Sequence, residues 1–372
     1  MQVDEIDIDD RREVNAFLAL PHALYRGIPQ WVPPIASDAR RILDRKRNPF
    51  FQHSQAAFFL ARTGAQVVGR VAMLDNRNYN TFNNERTAFL NLYECAPEAE
   101  AAQRLFEAGF AWARRRGLNQ VVGPRGFTAL DGLGLLIRGF EHRPAMGIPY
   151  NPPYYGAQFE AAGFQPDGDI VSGHLDRSAV IPDKIHRLAE IVQRRRGLHI
   201  ARFRRRADLR TLAARLGELY NNTLGGTPGN VRLTPEEIRT IARQMLLFAD
   251  PRLVKVVMKG EEMVGFVFAY PDISAAIQRS RGRLLPLGWL DWLRELRRTR
   301  WININGAGIV DRYRGLGGTA ILFSEMYKTL MAGRYEHADI VQIGTQNENM
   351  QRELRDLGIA FHKTHRMYRR GL

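Results

Sequence analysis

Alternating apolar and polar positions predict two β-hairpins of similar design. The segments "LARTGAQVVGRVAML" (60–74) and "VVMKGEEMVGFVFAY" (256–270) each read as a strand, a tight turn and a second strand. Glycines along the chain then keep a nearly constant separation of 195 or 196 residues: Gly64 with Gly260, Gly69 with Gly265, and Gly163 with Gly358. A constant offset across separate landmarks indicates two copies of one fold.

The order of predicted elements in the second copy is strand, two amphipathic helices, hairpin, strand, glycine-rich loop, helix, strand, helix and strand. The alternation of strands and helices late in the chain favours the α/β class with an α+β character. We therefore predict two similar domains, residues 1–182 and 183–372, each with a twisted mixed sheet flanked by helices. A linker is predicted at 177–184.

The charge of the chain favours certain classes of partner, and its cysteine content limits the kind of fold. The chain has 54 Lys plus Arg against 39 Asp plus Glu, and a sequence pI near 10.3. Such a basic surface favours an anionic partner: nucleic acid, anionic lipid or a phosphorylated cofactor. The one cysteine, Cys95, excludes an internal disulfide framework. Without an apolar run of about 20 residues or a signal-like N-terminus, the expected location is cytoplasmic, with association at a membrane surface left open.

A glycine-rich segment marks the point where a strand should pass into a helix. It reads "VDRYRGLGGTAIL" (310–322). Glycines at a helix N-terminus let backbone N–H groups approach a phosphate, which the helix dipole also attracts. The P-loop pattern is absent, and the dinucleotide fingerprint matches only loosely and in the wrong order of elements.

The same segment resembles the pyrophosphate loop of the GCN5-related N-acetyltransferase (GNAT) superfamily, commonly written [Q/R]-x-x-G-x-[G/A]. Arg314, Gly317 and Thr319 fall on the first, fourth and sixth positions, so Thr319 departs from the pattern. A register two residues earlier, from Arg312, satisfies it fully. The resemblance implies acetyl-CoA or another acyl-CoA as co-substrate. The residues that it assigns to the cofactor are Ile309, Val310, Arg314, Gly315, Leu316, Gly317, Gly318, Thr319 and Asn347, the last of which could equally cap a helix.

The first copy lacks that loop. Its counterpart, residues 93–106, has no glycine and carries Glu94, Glu98 and Glu100, so we predict that it does not bind coenzyme A. It retains a glycine-rich stretch, "GPRGFTALDGLGLLIRGF" (123–140), followed by "YNPPYY" (150–155). Three residues there are candidates for acceptor binding, with a packing role as the alternative: Arg125, Asp131 and Tyr154.

Acyl transfer to an amine needs a base for the amine and a proton for the departing sulfur. Many GNAT proteins supply that proton from a tyrosine on the last helix, but the matching position here is Leu354. Asn303 and Asn305 lie two apart on the strand before the loop and so share one face. These two asparagines, with Asp272 and Tyr220, are the catalytic candidates, against core hydrogen bonding or capping. Histidine spacing predicts no metal.

The function expected from these features is a coenzyme A-dependent N-acyltransferase that moves an acetyl or longer acyl group to an amine acceptor bound between the domains. The acceptor is a small molecule or a lipid-like amine, with an anionic membrane surface as a possible partner and nucleic acid less favoured. Two alternatives stay open: an aminoacyl-tRNA-dependent transferase of the tandem GNAT-like type, and a non-catalytic coenzyme A-binding protein.

Overall fold

The computed structural model of the protein describes residues 1–128, 130–178, 181–225 and 229–372. Its strands are β1 Gln2–Glu5, β2 Gln55–Thr63, β3 Gln66–Asp75, β4 Thr87–Cys95, β5 Gln120–Gly123, β6 Leu135–Arg138, β7 Gln165–Asp176, β8 Leu198–Ala201, β9 Val254–Lys259, β10 Glu262–Pro271, β11 Trp301–Ile309, β12 His337–Gly344 and β13 Ala360–Gly371. Its helices are α1 Arg11–Leu24, α2 Ala36–Leu43, α3 Arg77–Asn83, α4 Ala99–Arg115, α5 Tyr155–Ala161, α6 Asp183–Arg196, α7 Arg206–Tyr220, α8 Pro235–Met245, α9 Ser274–Arg279, α10 Gly288–Arg298, α11 Gly318–Ala332 and α12 Glu348–Asp356.

The chain forms two compact units, each built from separate segments. The first unit comprises residues 1–171, 274–292 and 363–372, and the second comprises 172–273 and 293–362. The predicted division at 182/183 follows the sequence repeat and stays a prediction. The predicted linker includes residues 179 and 180, which lie outside the described residues.

The first unit contains a mixed sheet in the order β1–β2–β3–β4–β5–β13. Strands β4 and β5 are parallel, whereas the hairpin β2–β3 and the pairs β3–β4 and β5–β13 are antiparallel. Helix α4 covers one face of this sheet, and its buried Phe106 and Phe110 belong to an aromatic cluster that also includes Phe159 of α5. Hydrophobic spacing along α4 explains this, because its apolar residues recur on one side.

The second unit has a corresponding sheet in the order β7–β12–β11–β10–β9–β8. Strands β11 and β12 are parallel, and β10 is antiparallel to β9 and β11. Alternate residues of the two parallel strands, such as Ile302, Ile304 and Ile340, belong to a buried apolar cluster with Ile321 of α11 and Val192 of α6. The residues between them along each strand point to the other face of the sheet, and these include polar residues.

Both copies share one succession of elements, into which the first inserts α3 and β6 and the second inserts α9 and α10. The order hairpin, strand, helix, parallel strand, helix is β2–β3–β4–α4–β5–α5 in the first and β9–β10–β11–α11–β12–α12 in the second. The predicted mixed α/β fold class is confirmed. The last strand of each copy does not stay with its own copy. Strand β13, which ends the second copy, lies beside β5 of the first, and β7, which ends the first copy, lies beside β12 of the second. Each copy therefore completes the sheet of the other, which we call the strand exchange.

Candidate active site in the second unit

The parallel strands β11 and β12 separate partway along their length. Their pairing runs from Trp301 with His337 to Ile304 with Ile340, although β11 continues to Ile309 and β12 to Gly344. Gly306 has φ of 93° and Gln342 has φ of 53°, so both strands bend where the pairing ends. The result is an opening whose edges carry backbone polar groups.

The glycine loop closes one end of this opening. Gly315 and Gly317 have φ of 69° and 88°, a conformation that favours glycine. A side chain at Gly315 would meet nothing within 4 Å, whereas a Cβ at Gly317 would lie 2.5 Å from Val192 of α6. Gly317 is therefore required by packing, and Gly315 borders open space.

Helix α11 begins directly after the loop, with Gly317 as its N-cap. The first intrahelical bond is donated by Ile321 to the Gly317 carbonyl, at 3.3 Å. The N–H groups of Gly318, Thr319 and Ala320 have no intrahelical acceptor because they belong to the first turn. The contact between Gly317 and Val192 also brings the basic last turn of α6, Arg194–Arg196, within about one helical turn of the loop. The positive end of the α11 dipole and these arginines together favour the binding of an anion at the loop.

Side chains of the loop are held by local contacts. Arg312 and Tyr313 both bind the Glu262 carboxylate, and Arg314 donates to the Ile309 carbonyl at 3.3 Å and pairs with Asp311 at 2.8 Å. The Val310 N–H donates to the Val264 carbonyl at 2.9 Å. Arg314 is exposed, so its guanidinium can turn toward a phosphate, whereas the Val310 N–H is already in use.

A buried polar group lies on the sheet face opposite the apolar cluster. Asn303 has no exposed surface, and neither its amide nitrogen nor its oxygen has a hydrogen-bond partner in the described part of the chain. It lies directly opposite Tyr270 of β10 and Asp339 of β12. Burying an amide without partners is costly, so such an arrangement is typical of functional sites.

Tyr270 connects this group to the opening. Its hydroxyl lies close enough to the Asn305 side chain for that amide to influence its pKa. Burial raises the pKa of Tyr270 well above its usual value, and the Asp272 carboxylate adds to the shift while Asn305 opposes it. Tyr270 is thus a protonated donor at neutral pH. The structure brings the predicted residues Asn303, Asn305 and Asp272 around it.

Sequence reasoning missed Tyr270 and Asp339. Both could be noticed in the sequence, in "FAYPD" and "ADIVQIG", because each carries a polar group at a strand position that faces the polar side of the sheet. Identifying them requires the strand register. Tyr220, the fourth catalytic candidate, ends α7 and packs in a separate apolar cluster with Phe266 and Val310. Asn347 caps α12, accepting the Met350 N–H at 3.2 Å.

The corresponding region of the first unit is filled by side chains. Tyr154 donates to the Cys95 carbonyl at 2.8 Å, and Gln158 donates to the Ala96 carbonyl at 3.1 Å, so α5 binds the backbone at the end of β4. Glu94 is buried and accepts hydrogen bonds from Tyr25 and Tyr155 at 2.7 and 2.9 Å. Burial raises its pKa, against the opposing charge of Arg70.

Acidic residues also precede α4 in the first unit. Glu98 is its N-cap residue and Glu100 lies in its first turn, where it pairs with Arg104 at 2.9 Å. Carboxylates at a helix N-terminus occupy the positive end of the dipole and repel a phosphate. This geometry supports the prediction that the first copy does not bind coenzyme A.

Two further acceptor candidates have packing contacts in the first unit. The Arg125 guanidinium lies 5.1 Å from the ring centres of both Tyr79 and Phe89, and Asp131 accepts the Thr128 N–H at 2.8 Å. With the bond from Tyr154 to Cys95, each of the three candidates has a structural role. Their role in acceptor binding stays a prediction.

Three side chains of the second unit have the spacing of metal ligands, although the sequence predicted no metal. The donor atoms of His174, Asp176 and His337 lie within 4.8 Å of one another. In this structure Asp176 and His337 already contact each other at 3.0 Å, and Trp301 packs 4.4 Å from the His337 ring. The group is explained as a cross-strand cluster of polar and aromatic residues.

Comparisons with known proteins now bear on this site. No family model matches the chain. A protein of Caulobacter vibrioides (strain NA1000 / CB15N) named bacterial ceramide synthase is 27% identical over 383 residues, covering 99% of this chain and 97% of its own. Protein YghO of Escherichia coli (strain K12) is 24% identical over 367 residues, covering 96% and 93%.

Solved structures resemble the chain over its whole length. A tandem GNAT protein from the clavulanic acid biosynthesis pathway matches with a TM-score of 0.56 and 13% identity, covering 100% of this chain and 98% of that one. A GCN5-related N-acetyltransferase from Sphaerobacter thermophilus matches with a TM-score of 0.53 and 14% identity, covering 100% and 95%. The protein has the GNAT fold. The sequence relatives and the similar solved structures together support the predicted class of enzyme, an N-acyltransferase.

Among the helices of the described ranges, none combines the length and the apolar character needed to cross a membrane.

Proposed function

We propose that this protein transfers an acyl group from acyl-CoA to a lipid-like amine, with the cofactor bound in the second unit. The observation that carries the proposal is the opening between β11 and β12, which ends at the glycine loop and the N-terminus of α11. The relative named bacterial ceramide synthase supports the acceptor class, since a ceramide is a lipid amide.

The residues present suit coenzyme A. The open space at Gly315 and the first-turn N–H groups of α11 suit the pyrophosphate, and the exposed Arg314 can add a charge-assisted bond. The separated edges of β11 and β12 offer backbone groups to an extended, amide-containing chain. Coenzyme A would supply the activated thioester, and the protein would supply orientation and proton transfer.

Proton transfer falls to the polar face beside the opening. During the reaction the amine nitrogen bonds to the acyl carbon, the bond from that carbon to sulfur breaks, the amine loses a proton and the sulfur gains one. The Tyr270 hydroxyl carries a proton at neutral pH and lies beside Asn305, the first residue of β11 after the pairing with β12 ends, so Tyr270 is the candidate proton donor to the sulfur. Asp272, at the end of the same strand, is the candidate base, and Asn303 and Asn305 provide amides to orient the reacting groups.

Binding of coenzyme A to a charged variant of the loop tests the cofactor site. Thr319 lies in the first turn of α11, where a glutamate favours the helix but repels a pyrophosphate. We expect Thr319→Glu to fold normally and to bind coenzyme A at least about tenfold more weakly, because a like charge within a few ångströms opposes the phosphates. Isothermal titration calorimetry measures this.

Thr319→Gln is the matched control, since it has the size of glutamate without the charge. It should bind coenzyme A close to wild-type affinity. Equal affinity of Thr319→Glu and the wild type would place the cofactor elsewhere. Release of free thiol from a long-chain acyl-CoA in the presence of a long-chain amine then tests the transfer itself, with a short-chain amine for comparison.

A further inference from the structure

An apolar tip is formed in the first unit by the end of the segment that joins α9 to α10 and by the first turn of α10. Leu285 is 78% exposed, Leu287 68% and Trp289 44%, and the adjacent Leu290 is also exposed. We call these four residues the 285–290 tip. Contiguous exposed leucine and tryptophan side chains mark interaction surfaces, because water disfavours them.

The base of this segment is fixed. Arg279 of α9 forms two hydrogen bonds of 2.9 Å with Asp291 of α10, and the buried Trp292 donates to Ser280 at 3.2 Å. Gly282 accepts the Ala36 N–H at 2.9 Å. Trp289 itself donates to the Pro286 carbonyl at 3.1 Å. The apolar side chains therefore project from a braced support.

Basic residues flank the tip along the chain. Residues 279–300 contain seven arginines and two acidic residues, Asp291 and Glu295. One of the acids, Asp291, is already paired with Arg279. Arg281, Arg283, Arg294, Arg297 and Arg298 are exposed. Exposed leucine and tryptophan among arginines form the pattern of a helix that lies in a membrane interface.

We propose that the 285–290 tip inserts into the surface of an anionic lipid bilayer, with the flanking arginines on lipid phosphates. The leucines would enter the acyl boundary, the tryptophan would lie at the level of the headgroups, and the arginine stems would cover apolar surface while their charges stay in water. The inference rests on the proposed function, in that a lipid-like acceptor resides in a bilayer. Charge complementarity selects a bilayer over a second copy of this basic chain.

Co-sedimentation with lipid vesicles tests the proposal on the full chain. The wild type should bind vesicles containing phosphatidylglycerol and bind pure phosphatidylcholine vesicles much more weakly. The double variant Leu285→Glu/Leu287→Glu should lose binding to the anionic vesicles by about tenfold or more for each leucine withdrawn from the acyl boundary. Leu247→Glu, at another leucine that is 59% exposed, is the control and should bind as the wild type does.

Three results would overturn the proposal: no binding of the wild type to anionic vesicles, equal binding of the double variant, or an equal loss for Leu247→Glu. A change from dimer to monomer in the double variant, with vesicle binding kept, would identify a second copy as the occupant and also overturn it. Thiol release with a detergent-dispersed amine separates the two hypotheses. The double variant should keep that turnover, whereas failure of the wild type there would refute the proposed function and leave the vesicle result unaffected.

Discussion

At the residue scale, removal of the Tyr270 hydroxyl tests whether this residue of the second unit takes part in catalysis or only in packing. Tyr270→Phe removes only the group that contacts Asn305. We expect turnover to fall by about 100-fold, because the sulfur would lose its proton donor, while coenzyme A affinity stays near wild type. Steady-state kinetics and calorimetry on the same preparation measure both.

Tyr335→Phe is the control for that change. Tyr335 is also a buried tyrosine of the second unit, and it donates to Asp250 at 3.0 Å. If both phenylalanine variants lowered turnover equally and in step with their melting temperatures, Tyr270 would have a structural role only.

Another residue makes stability depend on pH. His365 is fully buried and bonds the Pro149 carbonyl at 2.9 Å, and burial lowers the pKa of His365 to about 4. The unfolded chain, with a pKa near 6.5, takes up this proton first. The free energy of unfolding should therefore fall as pH drops from about 6.5 to 4, by up to about 3 kcal/mol from this group.

Replacement of His365 by glutamine isolates that contribution. The glutamine amide can donate to the same carbonyl but does not titrate. Urea unfolding at pH 7 and pH 4.5 should show a smaller difference for His365→Gln than for the wild type. An unchanged difference would assign the pH dependence to other groups.

At the element scale, helix α12 begins at a residue with two predicted roles. Asn347 accepts the Met350 N–H at 3.2 Å, so Asn347→Ala should lower the free energy of unfolding by about 1 kcal/mol. Asn347→Ser should restore it, since serine caps about equally well and adds no charge. If Asn347→Ser recovers stability but not coenzyme A affinity, the asparagine also contacts the cofactor. Urea unfolding and calorimetry distinguish these results.

Elements with a local signature were the predictable part of this molecule. The glycine loop and the α8 capping box, where Thr234 and Glu237 bond reciprocally, depend on neighbours a few residues apart. The pairing of Tyr270 with Asn303 depends on strand register, and the bond of Tyr154 to Cys95 joins residues 59 apart. Long-range contacts of this kind leave no periodic pattern in one sequence, which is why the filled opening of the first unit was not predicted.

At the scale of the whole molecule, the strand exchange makes the first unit depend on residues 363–372. Tyr368 pairs with Gly123 and packs against Phe159 at 5.3 Å, and Arg366 forms two bonds with Asp169. Removal of 363–372 should therefore increase amide hydrogen exchange at 120–123 in β5 and leave Ile302–Ile304 of β11 protected.

Tyr368→Ala provides a milder version of that test, since it keeps the strand and removes one buried ring. It should raise exchange in β5 to a smaller extent. A uniform rise across both units in either variant would show that the units open together, contrary to this prediction.

The strand exchange also has a consequence for synthesis of the protein. The 245 residues that separate Gly123 from Tyr368 require about 12 to 50 seconds of translation at 5 to 20 residues per second. Throughout that time β5 lacks its neighbour β13, and an uncovered strand edge can pair with other nascent chains. The interval between making β5 and making β13 is thus the period in which the growing polypeptide most needs a chaperone.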